Sequence, residues 1–495
     1  MLNITTFLDA NACRIGKAVF HCPERGTRYT SAEVLSIASE LARGLQARGV
    51  GKGDRAMLYM DSSPEYLFSY FALWRLGAVA VPCNRVYTVN ELRYVAENSG
   101  AKICVTDAAG AESLEALEGL GTFVPGDVEA MRKAPVLPVC PTEPDDLCQL
   151  QYTSGTTGKP KGAMLTHANW YAGIANECDV LTCRQFDSYL GIYPMGHVGL
   201  SWGIAAMRAG ACYTMMARFK LDEYLRLCRE EGVTVLSGMP PVIHSLVNCP
   251  AGTEEALKTV REIISGGGPL HCDVWKKFHL RYGIPVLNAY GLSETVVVGT
   301  GTVIRPEDYV SADRFESVGH PVCFSEVKIV DELDASKELP RGEAGEVALR
   351  GPATAKGYWR MPEETAAAFL PDGWFLTGDV GYLDADNRLF ITDRKKDMIV
   401  MSGWKIYPTE VEEVLIRHAA VKDVAVFGLP DEHKGEMPAV AVVWKEGPEE
   451  ESLLELAREN LAGYKVPRKV FSVDALPRVN GWKLLRRSLR EQFKA

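Results

Sequence analysis

Residues 152–162 read YTSGTTGKPKG, and this stretch decides how the chain is read. Its eleven residues hold four glycines or serines, three threonines and two lysines. Residues 147–151 before it read as the end of a buried strand, and residues 163–165 after it as another short strand. Thr166 then predicts an N-cap for a helix running to Cys178. Such a loop can turn its N–H groups and hydroxyls around an anion, with glycines allowing close approach and Lys159 and Lys161 adding charge. A polyphosphate is the ligand this implies. The commoner phosphate loop, GxxxxGK[ST], is not present: no Gly-Lys pair falls at the required distance and Pro160 interrupts. A flexible linker is disfavoured, because linkers rarely join two apolar strands.

At 495 residues the chain implies two or more domains. Its 47% hydrophobic and 24% charged residues are an ordinary globular composition. A net charge of −10 argues against a nucleic-acid partner. No signal peptide and no apolar run of membrane-spanning length is apparent. The 13 cysteines form no C-x2-C pair and no cluster with histidines, against structural zinc or a secreted disulfide framework. Reduced thiols in a cytoplasmic protein are the simplest account, with Cys140, Cys148, Cys178 and Cys183 read as small buried hydrophobes.

The first third alternates strands and helices. Residues 55–60 form a short apolar strand, residues 64–76 an amphipathic helix with Leu67, Tyr70, Phe71 and Trp74 on one face, and residues 78–82 the next strand. This βαβ pattern recurs at residues 92–105 and 221–236. Residues 265–270 (SGGGPL) and 286–295 (VLNAYGLSET) place strand ends beside glycine-rich turns, where ligands bind in open α/β sheets. From about residue 318 short strands dominate, at 326–330, 345–350, 378–383 and 388–392, with a hairpin tip at 384–387. The charge run DRKKD, residues 393–397, is a natural boundary. The last hundred residues carry helices at 408–418 and near 451–461 and strands at 424–428 and 439–444. The expected fold is therefore multidomain α/β: a large N-terminal domain (1–395) of βαβ-type sheets flanked by helices, with a β-rich subdomain at about 318–395, and a small α+β domain at 396–495.

YTSGTTGKPKG, YPMGHVGL (193–200), NAYGLSET (288–295), TGDVGYLD (377–384), DRKKDMIVMSGWKIYPTEVE (393–412) and LPRVNGWKLLRRSLR (476–490) together resemble the adenylate-forming superfamily of acyl-CoA synthetases, peptide-synthetase adenylation domains and luciferases. The resemblance spans nearly the whole chain. It implies that a carboxylate attacks the α-phosphate of ATP, expelling pyrophosphate, and that a thiol, usually of coenzyme A, then displaces AMP. It further implies a mobile C-terminal domain that rotates between the two steps.

The same resemblance assigns residues. Ser154, Thr156, Thr157 and Lys159 hold the β- and γ-phosphates, with Thr153, Gly155 and Gly158 completing the loop. Glu294, with Thr156, binds Mg²⁺, for which a hard carboxylate is suited. Ser293 stands where many members carry Thr and reaches the α-phosphate. Gly267, Asn288, Ala289, Tyr290 and Gly291 line the AMP site. Asp379 accepts the ribose hydroxyls and Arg394 reaches the same ribose; alone, they would read as an exposed turn acid and a solvated cation. His197 gates the carboxylate, Lys396 is the hinge, and Gly403 and Trp404 line the pantetheine path. Lys483 is the catalytic lysine, placed where charge develops in adenylation, with Lys465 a weaker candidate. The family's Pro-to-Lys spacing is kept from Pro477, but Trp482 replaces the Gly just before the lysine.

No carboxylate occurs between residues 191 and 203, against an amino-acid substrate. Gly291 stands where acetate enzymes close the pocket with Trp. Gly266 and Gly268 add room, and Val198, Trp202, Ala289 and Val296 make an apolar lining. A medium-sized hydrophobic acid, medium-chain fatty, alicyclic or aryl, is the expected substrate. Adenylation with another acceptor such as a carrier-protein thiol, a kinase and a non-catalytic nucleotide-binding relative are the competing readings. Oligomeric state cannot be read from residues, and a homodimer stays open.

Overall fold

The computed structural model describes residues 2–153, 160–181, 183–296, 299–301, 316–402, 404–431, 433–479 and 483–494, with backbone alone at 179, 301, 479 and 483. Packing divides the chain into two units: 1–327 with 349–376, and 328–348 with 377–495.

The first unit holds two sheets. In one, the strands Gly121–Phe123, Ile103–Thr106, Arg55–Tyr59, Val79–Pro82 and Leu147–Thr153 run parallel in that spatial order, and Lys161–Thr166 closes the edge antiparallel. In the other, Val286–Tyr290, Glu262–Ser265, Val235–Ser237, Ser188–Gly191, Cys212–Met215 and Ala18–Cys22 run parallel, with antiparallel strands at both edges. The period of two sends alternate side chains to opposite faces. Ala56 and Leu58 of the first sheet share a core with Val19, Tyr189, Tyr213 and Ile264 of the second. Met57 and Tyr59 face a separate cluster, as do Leu190 and Leu236 on the far face of the second sheet.

The shared core explains one departure from expectation. The helix Pro64–Arg75 is not half-exposed; all its residues but Glu65 are buried. A helix apolar all round belongs inside. Its ends follow the sequence: the Ser63 hydroxyl accepts from the Tyr66 N–H at 3.2 Å, Pro64 occupies the first turn, and Gly77 follows at φ +68°. Thr166 caps the helix His167–Leu181 as predicted, its hydroxyl accepting from the Asn169 N–H at 3.1 Å while the Asn169 side chain returns a bond to the Thr166 N–H at 2.8 Å. All 13 cysteines are free. Of the four read as buried, only Cys148 is fully so; Cys140, Cys178 and Cys183 are half-buried.

The second unit carries most of a four-stranded sheet, Glu326–Val330, Gly345–Arg350, Phe375–Leu383 and Leu389–Arg394. It also holds a five-stranded sheet of Trp404–Ile406, Ile399–Met401, Gly435–Trp444, Val421–Asp431 and Lys469–Ser472. The helices Pro408–Leu415 and Glu450–Asn460 pack on one face of the latter, through Val411, Leu415, Leu453 and Ala457. The helix Arg486–Gln492 packs on the other through Leu489.

Candidate active site

In the first unit the phosphate-loop sequence joins two antiparallel strands, Leu147–Thr153 and Lys161–Thr166, whose last pair is Thr153 opposite Lys161. Ser154, Gly155, Thr156, Thr157, Gly158 and Lys159 lie outside the described residues. What frames the loop is well defined. The strand Val286–Tyr290 ends in the turn 291–292 and the short 3-10 helix Ser293–Thr295. This brings Glu294, 6% exposed, to the mouth of the hairpin, its Oε1 3.5 Å from Thr153 Oγ1.

Sequence reading missed what holds that carboxylate. The Tyr358 hydroxyl donates to Glu294 Oε1 at 3.0 Å, and the Ala355 N–H donates to the Glu294 carbonyl at 2.7 Å. Tyr358 is itself buried, and burial together with the charge of Glu294 pushes its phenol pKa well above the ordinary value. The signal available was the sequence GYW at residues 357–359, an aromatic pair behind a glycine. Gly357 sits at φ +129°, a conformation other residues avoid.

Val296 follows at φ +44°, a left-handed conformation that is an outlier for a β-branched residue. It is fully buried against the helix His167–Leu181 at Gly173, where a Cβ would lie 2.6 Å from Val296 Cγ1. Val198, Trp202, Ala289 and Val296 join one apolar cluster. Gly266, Gly267 and Gly268 form the turn after the strand Glu262–Ser265, with Gly267 at φ +84°, and a Cβ at Gly266 would lie 2.9 Å from the Ala289 carbonyl oxygen. Asn288 is buried and donates to the Ser317 carbonyl at 3.2 Å, whereas Tyr290, Gly291 and Ser293 are half-buried.

His197 lies on a loop pinned from three directions. The Tyr70 hydroxyl donates to the Met195 carbonyl at 3.2 Å, the Met195 N–H to Ser62 Oγ at 3.1 Å and the Gln151 amide to the Gly196 carbonyl at 3.3 Å. A Cβ at Gly196 would press on the Cys83–Asn84 backbone at 3.1–3.3 Å, so glycine permits the close approach. That approach sets Asn84 Nδ2 2.9 Å from His197 Nε2, a second partner the sequence did not reveal.

In the second unit Asp379 and Arg394 are cross-strand partners in the pair Phe375–Leu383 and Leu389–Arg394, with Arg394 Nε 3.3 Å from Asp379 Oδ1. Asp379 is 6% exposed, not a solvated turn acid. Lys396 is exposed in the turn beyond Arg394. Trp404 is 60% exposed and stacks on Tyr464 with ring centroids 5.0 Å apart. Gly403 lies outside the described residues, as do Gly481 and Trp482. The backbone of Lys483 pairs with Val479 in a two-stranded ribbon. Lys465 is engaged in an ion pair with Glu410.

The donor set suits one metal ion in particular. Among the described residues no cluster of three or more His, Cys, Asp or Glu side chains is placed to hold a cation. A single buried carboxylate beside a Ser/Thr/Gly loop fits Mg²⁺, which is commonly held by one or two carboxylates plus substrate phosphates rather than by a protein cage. A nucleotide with its phosphates at that loop would fit the arrangement. Comparison with known proteins carries this further. The family model described as AMP-binding enzyme matches residues 8–359, and that of the AMP-binding enzyme C-terminal domain matches residues 410–481. The chain is 33% identical over 507 residues to 4-coumarate–CoA ligase 3 of Oryza sativa subsp. japonica, covering 95% of this chain and 88% of the relative. It is 33% identical over 486 residues to the long-chain-fatty-acid–CoA ligase FadD13 of Mycobacterium tuberculosis, covering 96% and 95%. ATP-bound MatB from Rhodopseudomonas palustris superposes with a TM-score of 0.92 at 31% identity, covering 100% of this chain and 99% of that one. The chain belongs to the AMP-binding enzyme family, in the acyl-CoA synthetase branch of the adenylate-forming superfamily, and is an AMP-forming acid–thiol ligase. Among the described residues no helix is long and apolar enough to cross a membrane.

Proposed function

We propose that the chain activates a medium-sized hydrophobic acid, medium-chain fatty, alicyclic or aryl, as its acyl-AMP and passes the acyl group to coenzyme A in the cytoplasm. The observation that carries the reading is the buried Glu294 carboxylate beside Thr153 at the phosphate-loop hairpin. Glu294 and Thr156 would hold Mg²⁺, which when bound offsets the charge of the departing pyrophosphate. The remaining steps fall to the chain's own residues. Residues 153–159 cradle the phosphates, and Ser293 faces the α-phosphate. Gly267 and residues 288–291 line the AMP site. Asp379 accepts from the ribose hydroxyls, and Arg394, already beside it, orients the same sugar. His197, its ring anchored by Asn84, guards the approach of the carboxylate. Lys483 stabilises the charge developing on the carboxylate and α-phosphate oxygens. Lys396 is the hinge between residues 1–395 and 396–495, and Gly403 and Trp404 line the path of the thiol. Val198, Trp202, Ala289 and Val296 are apolar and buried, and with Gly266 and Gly268 they are the residues proposed to receive a hydrophobic acyl group.

The test has two parts. Carboxylate-dependent exchange of labelled pyrophosphate into ATP reports adenylation, and CoA-dependent AMP release across a panel of acids reports the substrate. Turnover confined to acetate or amino acids overturns the substrate class. Exchange without CoA-dependent release, restored by a carrier-protein thiol, overturns the acceptor.

A further inference from the structure

The segment at residues 355–359 grips Glu294 at both ends. Its Ala355 N–H binds the backbone carbonyl of Glu294 and its Tyr358 hydroxyl binds the carboxylate. The segment is not a loose loop. It runs along the outer edge of the strand Lys161–Thr166: the Met164 N–H donates to the Gly357 carbonyl at 2.9 Å, the Lys356 N–H to the Met164 carbonyl at 3.0 Å, and the Trp359 N–H to the Gly162 carbonyl at 2.8 Å. Tyr358 pairs across this edge with Ala163. Its N–H donates to Thr365 Oγ1 at 2.9 Å. Its ring meets Phe369 edge-on at 5.4 Å, and the Lys161 ammonium stands 5.1 Å from the ring centroid. Backbone, ring and hydroxyl of Tyr358 are thus all fixed, and the phosphate-loop hairpin itself is the platform.

We propose that Tyr358 is a positioning residue for the nucleotide: by binding one oxygen of Glu294 it holds the carboxylate in the single orientation in which the group can serve a divalent ion bound to the nucleotide phosphates. This rests on the reading of Glu294 given above. A buried carboxylate that loses one of its donors is destabilised and less firmly oriented, and the Lys161 ammonium, 5.1 Å from the Tyr358 ring centroid, is a cation on the same hairpin. The tyrosine hydroxyl is an uncharged donor, so it orients the acid without cancelling its charge.

Tyr358→Phe removes the hydroxyl and keeps the ring. Equilibrium binding, by calorimetry on the full chain, is measured for ATP with Mg²⁺, for ATP with EDTA and for AMP. The variant is expected to bind Mg²⁺·ATP roughly tenfold more weakly, the loss of one hydrogen bond to a charged group, with AMP affinity within twofold of the parent. In a Glu294→Gln background the same substitution is expected to change nothing further, because the two side chains act as one unit. Equal losses for AMP and Mg²⁺·ATP, or a full additional loss in the Glu294→Gln background, would overturn the proposal in favour of a structural role. Unchanged Mg²⁺·ATP binding would overturn it outright. Failure of the underlying reading looks different: the parent itself would then bind ATP equally with and without Mg²⁺.

Discussion

Replacing Arg486 by methionine should loosen the second unit severely. Arg486 enters from the start of the last helix; its Nη2 donates to both Glu412 oxygens at 2.8 and 2.7 Å, its Nη1 reaches Asp397 at 3.4 Å, and its Nε donates to the Val426 carbonyl at 3.1 Å. Burial works against its charge, but Glu412, Asp393 and Asp397 together push its pKa above the ordinary arginine value. Methionine leaves the acids behind. Glu412 still accepts from the Val426 N–H at 2.7 Å and Asp393 from the Thr409 and Arg394 N–H groups, yet both stay buried without their cation. Breaking a buried pair from one side costs about 3–5 kcal/mol, equivalent to about two to almost four decades in an opening equilibrium. Hydrogen exchange of the Val421–Asp431 strand, followed by mass spectrometry on the full chain, reads that equilibrium directly. The penalty should grow from pH 5 to pH 8. Burial already raises the Asp393 carboxyl and Arg486 pulls it down, so removing Arg486 raises it further and stability is lost as pH rises through its folded value. Arg487→Met is the control: its partner Glu491 is one turn away and both are well exposed, so exchange should change about twofold at most. Acceleration below threefold in Arg486→Met, or equal acceleration in the two variants, would refute the argument.

Three further outcomes are expected. In the parent protein, burial pushes the Asp393 carboxyl up to about 6 from 3.8, although Arg486 and the two N–H donors pull the other way; its contribution is present below about pH 4 and lost by about pH 6, roughly 3 kcal/mol in all, so the Thr409 amide should be better protected at pH 4.5 than at pH 7 once intrinsic rates are removed. Gly173→Ala puts a Cβ 2.6 Å from Val296, and overpacking of about 1–3 kcal/mol should outweigh the helix-propensity gain of about 1 kcal/mol; a raised thermal midpoint would contradict it. Lys483→Ala should slow pyrophosphate exchange about 10²–10³-fold while thiolysis of supplied acyl-AMP survives, and equal loss in both half-reactions would remove Lys483 from its proposed role.

Much of the scaffold was legible because its signals are local. Strand residues 326–330 and 345–350 were readable to the residue, since a short strand bounded by turn signals needs no partner to be seen. The cap at Thr166 and the two strands flanking the loop were legible for the same reason, though not their antiparallel pairing. What stayed hidden depends on residues far apart in the chain. The helix Pro64–Arg75 is buried on every side in a core that two sheets share, and that sharing is a long-range fact although the apolar make-up of its twelve residues is local. The Lys469–Ser472 strand was missed because its polar, exposed ends hide a period of two. Asp379 was visible as an acid, but only pairing across the strands shows it facing Arg394. The Asn84–His197 and Tyr358–Glu294 contacts join positions 113 and 64 residues apart.

The route of the chain between residues 327 and 377 has a practical outcome. The polypeptide quits the first unit after Val327, lends residues 328–348 to the second, returns for residues 349–376 and then departs for good. No single cut separates the two bodies. A fragment ending at residue 327 would leave the outer edge of Lys161–Thr166 without its covering segment, an open strand of the kind that recruits other chains. During synthesis from the N-terminus, Glu294 is made well before Tyr358, so the hydrogen bond between them cannot form until residue 358 has left the ribosome.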